Sequence, residues 1–385
     1  MTIKDIKFNR QEFSGSLGDI GTDFPLIVAM ILAAGLHTPS VLIVFGLLQI
    51  FTGFIYKMPM PVQPLKAMAT LVISQKIAGN VLLGAGLAIG LVMLVLTLTG
   101  VLDKLTKFVP KAVVRGIQLG LGMSLCLLSF KQYIPSGEMM GYVLAAIAFL
   151  MIILLIDNKK YPASLIVIGL GIFYAILFNT DFLTFPPVAG INFPQIHLPS
   201  IDDIGKGFVL LALPQIPLSL GNSIMATKQV SDDLFPQSNL SVKKIGITYS
   251  IMNLFSPFLS GIPCCHGAGG MVGHYTFGGR TGGSVIIYGL FYVCLGLFFG
   301  NSFDVVVKIF PLPVLGVILL FEGISMMLLV KDVVPKKRDF VIALITGILA
   351  FGLPYGFLIA IVAGTALFYS SLTLKTLTDI GNDQS

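Results

Sequence analysis

Charge is what this sequence has least of: only 11% of its 385 residues are Asp, Glu, Lys or Arg. Soluble domains carry about a quarter, so the chain lacks a polar coat with which to face water on every side. Tryptophan is absent, and histidine and cysteine occur four times each. Cys126, Cys264, Cys265 and Cys294 form no CxxC pair and fall inside apolar segments, which argues against a disulfide framework and a zinc site. The glycines include GxxxG spacing but no GxGxxG followed by a helix in a βαβ unit, so a nucleotide fold has no support. The net charge of +6 is spread over short loops rather than gathered in a stripe, and nucleic acid is excluded as a partner. No metal or cofactor is called for.

What the sequence does have is apolar length, with 55% hydrophobic residues and a mean hydropathy of +0.93. A span needs about 20 apolar residues. The pattern predicts an all-α polytopic membrane protein of fourteen segments, with the lipid bilayer as its solvent. Asp19 and Asp23 interrupt the first apolar run, so the N-terminus reads as a retained span rather than a signal peptide. The longest connection, residues 180–205, is rich in proline and separates residues 1–179, with seven segments, from residues 206–385, with seven more. Most of the 24 Lys and Arg then fall in loops on one side, and only Lys76 and Lys131 on the other. Cytoplasmic loops carry that excess, which puts both termini in the cytoplasm; the expected location is the cell's inner (plasma) membrane. Seven crossings per half give the halves opposite orientations, an inverted repeat.

Two segments are too broken to be plain spans. Met58-Pro-Met-Pro-Val-Gln-Pro-Leu-Lys-Ala-Met-Ala69 occupies segment 3, and Gly261-Ile-Pro-Cys-Cys-His-Gly-Ala-Gly-Gly270 opens segment 10. Interrupted segments at corresponding places in two halves point to a transporter's binding site. Pro263 suits the first turn of a helix, and His266, Gly267 and Ala268 would then leave N–H groups free to attract an anion. Both segments are therefore expected to form short half-helices that wall one oxyanion site. Lys66 would supply charge, and Gln63, Thr22, Asn222 and Gly269 neutral contacts. An intramembrane enzyme would need a nucleophile with a base. Cys265-His266 is the one such pair, and sequence neighbours rarely point the same way, so the chain is not read as an enzyme.

The remaining polar residues in apolar runs each have two readings. Asp19 and Asp23 either cap a helix at the interface or serve function, an ionisable residue inside a span being a marker of a pathway. Lys66 either faces the anion or forms a structural ion pair with one of them. His266 either donates to the anion and exchanges a proton or packs at the helix start. Glu322, midway along segment 12, is a proton carrier or a hydrogen-bond donor to another helix. Asp19, Asp23 and Glu322 are thus candidates for coupling transport to protons. Arg115 reads as a snorkelling interface residue, and Gly116, Gly120 and Gly122 as a small face for close helix contact.

Gly18-Asp-Ile-Gly-Thr22 with Pro25-Leu26, Pro61-Val-Gln-Pro-Leu-Lys-Ala67, Ser231-Asp-Asp-Leu-Phe-Pro236, and Cys265-His-Gly-Ala-Gly-Gly270 continuing to Phe277-Gly-Gly-Arg-Thr-Gly282 resemble the molybdate transporter family, a relative of the SulP sulfate permeases. The resemblance covers nearly the whole chain. It implies a core domain from segments 1–4 and 8–11, a gate domain from segments 5–7 and 12–14, and molybdate held between half-helices 3 and 10. Unlike most sulfate permeases, the chain leaves no room for a STAS domain after its last span. Asp23 and Glu322 lie outside the shared motifs. The expectation is a secondary active importer of a tetrahedral oxyanion, molybdate first, by alternating access and with proton coupling. Sulfate is the alternative, a nucleobase or carboxylate permease is more distant, and a homodimer is allowed.

Overall fold

A computed structural model describes residues 6–108, 110–155, 163–178 and 190–370. The basic residues Lys4, Lys159, Lys160 and Lys375 and the first part of the 180–205 connection lie outside the described residues. The chain is a mostly helical, multi-pass membrane protein. Among the described residues six helices are long and apolar enough to cross a membrane, or seven if one bent pair counts as a single span. That pair is α1 (Arg10–Ser16) and α2 (Ile20–Ala34), bent by 41°. It is followed by α3 (Thr38–Tyr56), strand β1 (Val62–Pro64), the short α4 (Lys66–Gln75), α5 (Gly79–Leu98), α6 (Val101–Phe108), α7 (Lys111–Leu128), α8 (Glu138–Leu155) and α9 (Ala163–Phe178). After the connection come α10 (Ile201–Leu234), α11 (Val242–Phe255), strand β2 (Cys264–His266), the short α12 (Ala268–Thr276), α13 (Gly283–Ile309), α14 (Leu312–Leu328), α15 (Lys337–Gly352) and α16 (Gly356–Tyr369).

The strands correct the expectation of helix alone. β1 and β2 pair antiparallel, with Val62 opposite His266, Gln63 opposite Cys265 and Pro64 opposite Cys264. Pro61, Pro64 and Pro263 cannot donate a backbone hydrogen bond and hold their neighbours extended, so Pro263 precedes a strand rather than opening a helix. Each strand is buried and is gripped by one carboxamide from the helix before it. Gln49 of α3 donates to the Val62 carbonyl at 2.7 Å and accepts from the Val62 N–H at 2.9 Å. Asn253 of α11 does the same for Cys264, at 2.6 and 2.9 Å. Without these clamps two buried peptide groups would be left unpaired.

Close helix contact depends on glycine. A Cβ at Gly116, Gly120 or Gly122 would strike α15 or α14, and for Gly122 the obstacle is the Gly323 backbone, so the small face is used as the sequence suggests. Gly46 and Gly289 bring α3 and α13 together in the same way. At the N-terminus the buried carboxylate of Glu12 accepts from the N–H groups of Arg280, Thr281 and Ser284 at 2.9–3.0 Å, which ties α1 to the turn entering α13.

Replacing Gln49 or Asn253 by Leu removes both hydrogen bonds of one clamp, a cost of about 2–4 kcal/mol. The melting midpoint of the purified protein in detergent should fall in each variant, and an unchanged midpoint would contradict the role given to the clamps.

Candidate functional site

The strand pair places the start of α4 beside the start of α12, and a cavity of about 530 Å3 opens there. Its walls include Asp19, Thr22, Gln63, Lys66, Asn222, His266, Gly267, Ala268, Gly269 and Glu322. Residues more than 300 positions apart in the sequence, Asp19 and Glu322, thus share one space. Of the sequence-based candidates only Asp23 is missing from its lining. It is buried behind the wall, where Tyr288 donates to its Oδ2 at 3.4 Å and contacts Tyr292 at 3.2 Å.

The two helix starts differ. Gly267 stands at the N-cap of α12 with no side-chain cap. Its own N–H donates to the Pro61 carbonyl at 3.2 Å, so the open donors begin at Ala268, and of the expected His266, Gly267 and Ala268 only the last is among them. The first-turn N–H groups of a helix have no intrahelical acceptor. A Cβ at Gly269 would meet only open space, whereas at Gly267 it would collide with the Gln63 side chain and at Gly270 with the Asp19 carboxylate. At α4 the arrangement corrects the expectation of a second free end: Gln215 Oε1 accepts from the N–H of Ala67 at 2.9 Å and of Met68 at 3.3 Å. α4 is capped by a side chain from α10, and α12 is not.

α10 reaches the cavity through a wide-turned stretch. Pro214 and Pro217 remove two N–H donors inside the helix, and residues Ser219–Ala226 continue as a π-helix. Wide turns of this kind gather at functional sites. Here they present Asn222 and Ser223 to the cavity.

Each charged group in the cavity wall has a partner. Lys66 Nζ lies 2.6 Å from Glu322 Oε1, so the ion pair is real but its acid is Glu322, not Asp19 or Asp23. Asp19 accepts the Gln63 amide through both oxygens at 2.8 Å and makes no side-chain cap to α2. Gln63 is therefore committed to Asp19 rather than offered to a ligand. His266 is the last residue of β2, not a helix start. Its Nε2 sits 2.7 Å from Thr248 Oγ1 and 3.5 Å from the Tyr56 hydroxyl, while its buried Nδ1 has no partner. Arg115 is not a snorkelling residue: its side chain is 15% exposed, lines the cavity, and bonds to Gln118 and to Asp332. Sequence reasoning missed Gln118 and Gln215. The available signal was a carboxamide inside an otherwise apolar helix, three residues after Arg115 in one case and between two prolines in the other.

Sequence comparison matches residues 11–125 and 207–326 to the family described as "Molybdate transporter of MFS superfamily". The chain belongs to the molybdate transporter family. Molybdate transporter 2 of Arabidopsis thaliana is 32% identical over 377 residues, spanning 86% of this chain and 81% of that protein. Molybdate transporter 1 of the same plant is 30% identical over 385 residues, spanning 88% and 83%. Among solved structures the fold is similar to the transmembrane domain of the cyanobacterial bicarbonate transporter BicA, with a TM-score of 0.67 at 17% identity over 94% of this chain and 97% of that one. It is likewise similar to the murine anion transporter Slc26a9 in its inward-facing state, with a TM-score of 0.70 at 13% identity over 95% of this chain and 68% of that one. The family member therefore has an SLC26-like fold, and its candidate site lies where the two strand-led short helices begin.

Ala at Gly267 must displace Gln63, at a cost of about 1–3 kcal/mol, whereas Ala at Gly269 enters open space. A lower melting midpoint for Gly267→Ala and an unchanged one for Gly269→Ala are expected in detergent. The reverse order would mean that the wall is packed differently.

Proposed function

We propose that this chain is a secondary active transporter that imports a tetrahedral oxyanion, molybdate first, across the cell's inner membrane by alternating access. The cavity carries the proposal, above all the uncapped first turn of α12 at Ala268 and Gly269 facing the same space as the Lys66 ammonium. Backbone N–H groups at the positive end of a helix favour an anion. One ammonium with neutral groups from Asn222 and Thr22 adds grip without a multiple-cation cage, which suits cargo that must be released again. Membership of the molybdate transporter family supports the choice of cargo. No covalent step is needed, and the chain is read as a carrier rather than an enzyme.

In this reading α4 and α12 are the half-helices of two inverted repeats, residues 1–179 and 206–385, joined across 180–205. The paired clamps support it: a carboxamide 13 residues before Val62 holds β1, and another 11 residues before Cys264 holds β2. Transport then proceeds by an elevator or rocking step of a core domain against a gate domain, with both termini in the cytoplasm and a homodimer as a permitted assembly. An anion entering against an inside-negative potential loses about 2.3 kcal/mol per charge per 100 mV. Proton symport offsets that cost, with Asp19 and Glu322 as the acids that line the path.

Uptake of radiolabelled molybdate into proteoliposomes, with tungstate, sulfate and uracil as competitors, tests the proposal. Saturable uptake, blocked by tungstate and increased by an inward proton gradient, is the expected result. Lys66→Ala loses a charge-assisted contact of about 1.5–3 kcal/mol, so uptake below saturation should fall about 10-fold to 100-fold. Unchanged uptake would remove Lys66 from the site, and no uptake of any tetrahedral anion by the wild type would end the proposal.

A further inference from the structure

The Lys66–Glu322 pair joins two separate elements inside the cavity. Lys66 is the first residue of α4, and Glu322 lies within α14. Their side chains are 33% and 20% exposed, both toward the cavity they line. Glu322 shares this face of α14 with Ser325 and Met326, the i, i+3 and i+4 positions of one helical stripe. Gly323 packs against the α7 backbone at Gly122, so the helix itself is held and the carboxylate side chain is the part free to leave.

Two further observations bear on this pair. An ammonium in the first turn of a helix faces the positive end of the helix dipole, so Lys66 is best stabilised with an anionic partner whether or not cargo is present. In addition, the acids and bases lining the cavity cancel, Asp19 and Glu322 against Lys66 and Arg115. With Glu322 in place, a dianion entering beside α12 meets a neutral cavity and an ammonium that is already occupied.

We propose that Glu322 is a resident counter-anion for Lys66 which the incoming oxyanion displaces. The Lys66 Nζ–H···Oε1 bond breaks and a Nζ–H bond to an oxyanion oxygen replaces it, the carboxylate swinging away from the ammonium. This rests on the cavity being the oxyanion site, and it gives Glu322 a role in setting affinity. Other ionisable groups face the same space: Lys66 from α4, Asp19 at the start of α2, Arg115 from α7 and His266 and Cys265 from β2. Asp23 lies behind Asp19, and Asp332 is paired with Arg115. The test therefore reads the difference that Glu322 alone makes.

Molybdate binding to the purified protein is measured by titration calorimetry for the wild type, Glu322→Gln, Lys66→Gln and Lys66→Gln/Glu322→Gln. Glu322→Gln should bind about tenfold tighter or more than the wild type, because a site occupied by a competitor loses affinity in proportion to its free fraction. The gain should shrink to about twofold or less when Glu322→Gln is made on the Lys66→Gln background. Weaker or equal binding by Glu322→Gln, or an undiminished gain without Lys66, overturns the inference. Failure of the wild type to bind any tetrahedral anion instead overturns the proposed function beneath it.

Discussion

Buried extended backbone must find hydrogen bonds within the protein, and the rest of this fold is arranged around that need. Residues near Pro61 and Pro263 cannot continue as helix, so their peptide groups are exposed to an interior with no water to satisfy them. The antiparallel pairing of β1 with β2 answers this for the facing edges. Gln49 and Asn253 answer it for one outer peptide group on each strand. The consequence is positional: with the strands joined, α4 and α12 must begin side by side, at one end of a shared cavity.

The polarity of that cavity follows from who satisfies whom. Gln215 closes the N–H groups of α4, while those at the start of α12 keep an open face. Gln63 is held by Asp19, Lys66 by Glu322, and Arg115 by Gln118 and Asp332. The groups left uncommitted include the Ala268 and Gly269 amides, the nearby Asn222 and Thr22, and the Nδ1 of His266. In the proposed function such a site favours an anion without trapping it, and its strong charges are held in pairs. The glycines at 267 and 270 make this possible by letting α12 approach Gln63 and Asp19 closely.

Much of this was legible in the sequence. Prolines and polar residues inside two apolar runs marked segments 3 and 10 as broken, and isolated Asp19, Lys66 and Glu322 stood out because an unpaired charge among apolar residues is costly. The strands were not legible, since three residues are too few to display an alternating pattern and the neighbouring prolines suit a helix start as readily. Partner choice was equally hidden. Nothing local joins Lys66 to a carboxylate 256 residues later, or identifies Gln215 as the cap of a helix formed about 150 residues earlier. The place of Arg115 near a helix entry suggests an interface residue, but the turn of α7 that it occupies faces inward beside Gln118.

The most direct test is to locate the cargo. Crystals grown with molybdate and measured near the molybdenum absorption edge give the heavy atom's position independently of the protein density. A single anomalous peak against the amides of Ala268 and Gly269 and within reach of Lys66 Nζ is the predicted result. A peak elsewhere in the protein, or an empty cavity in crystals of protein that takes up molybdate, would contradict an oxyanion site at the start of α12.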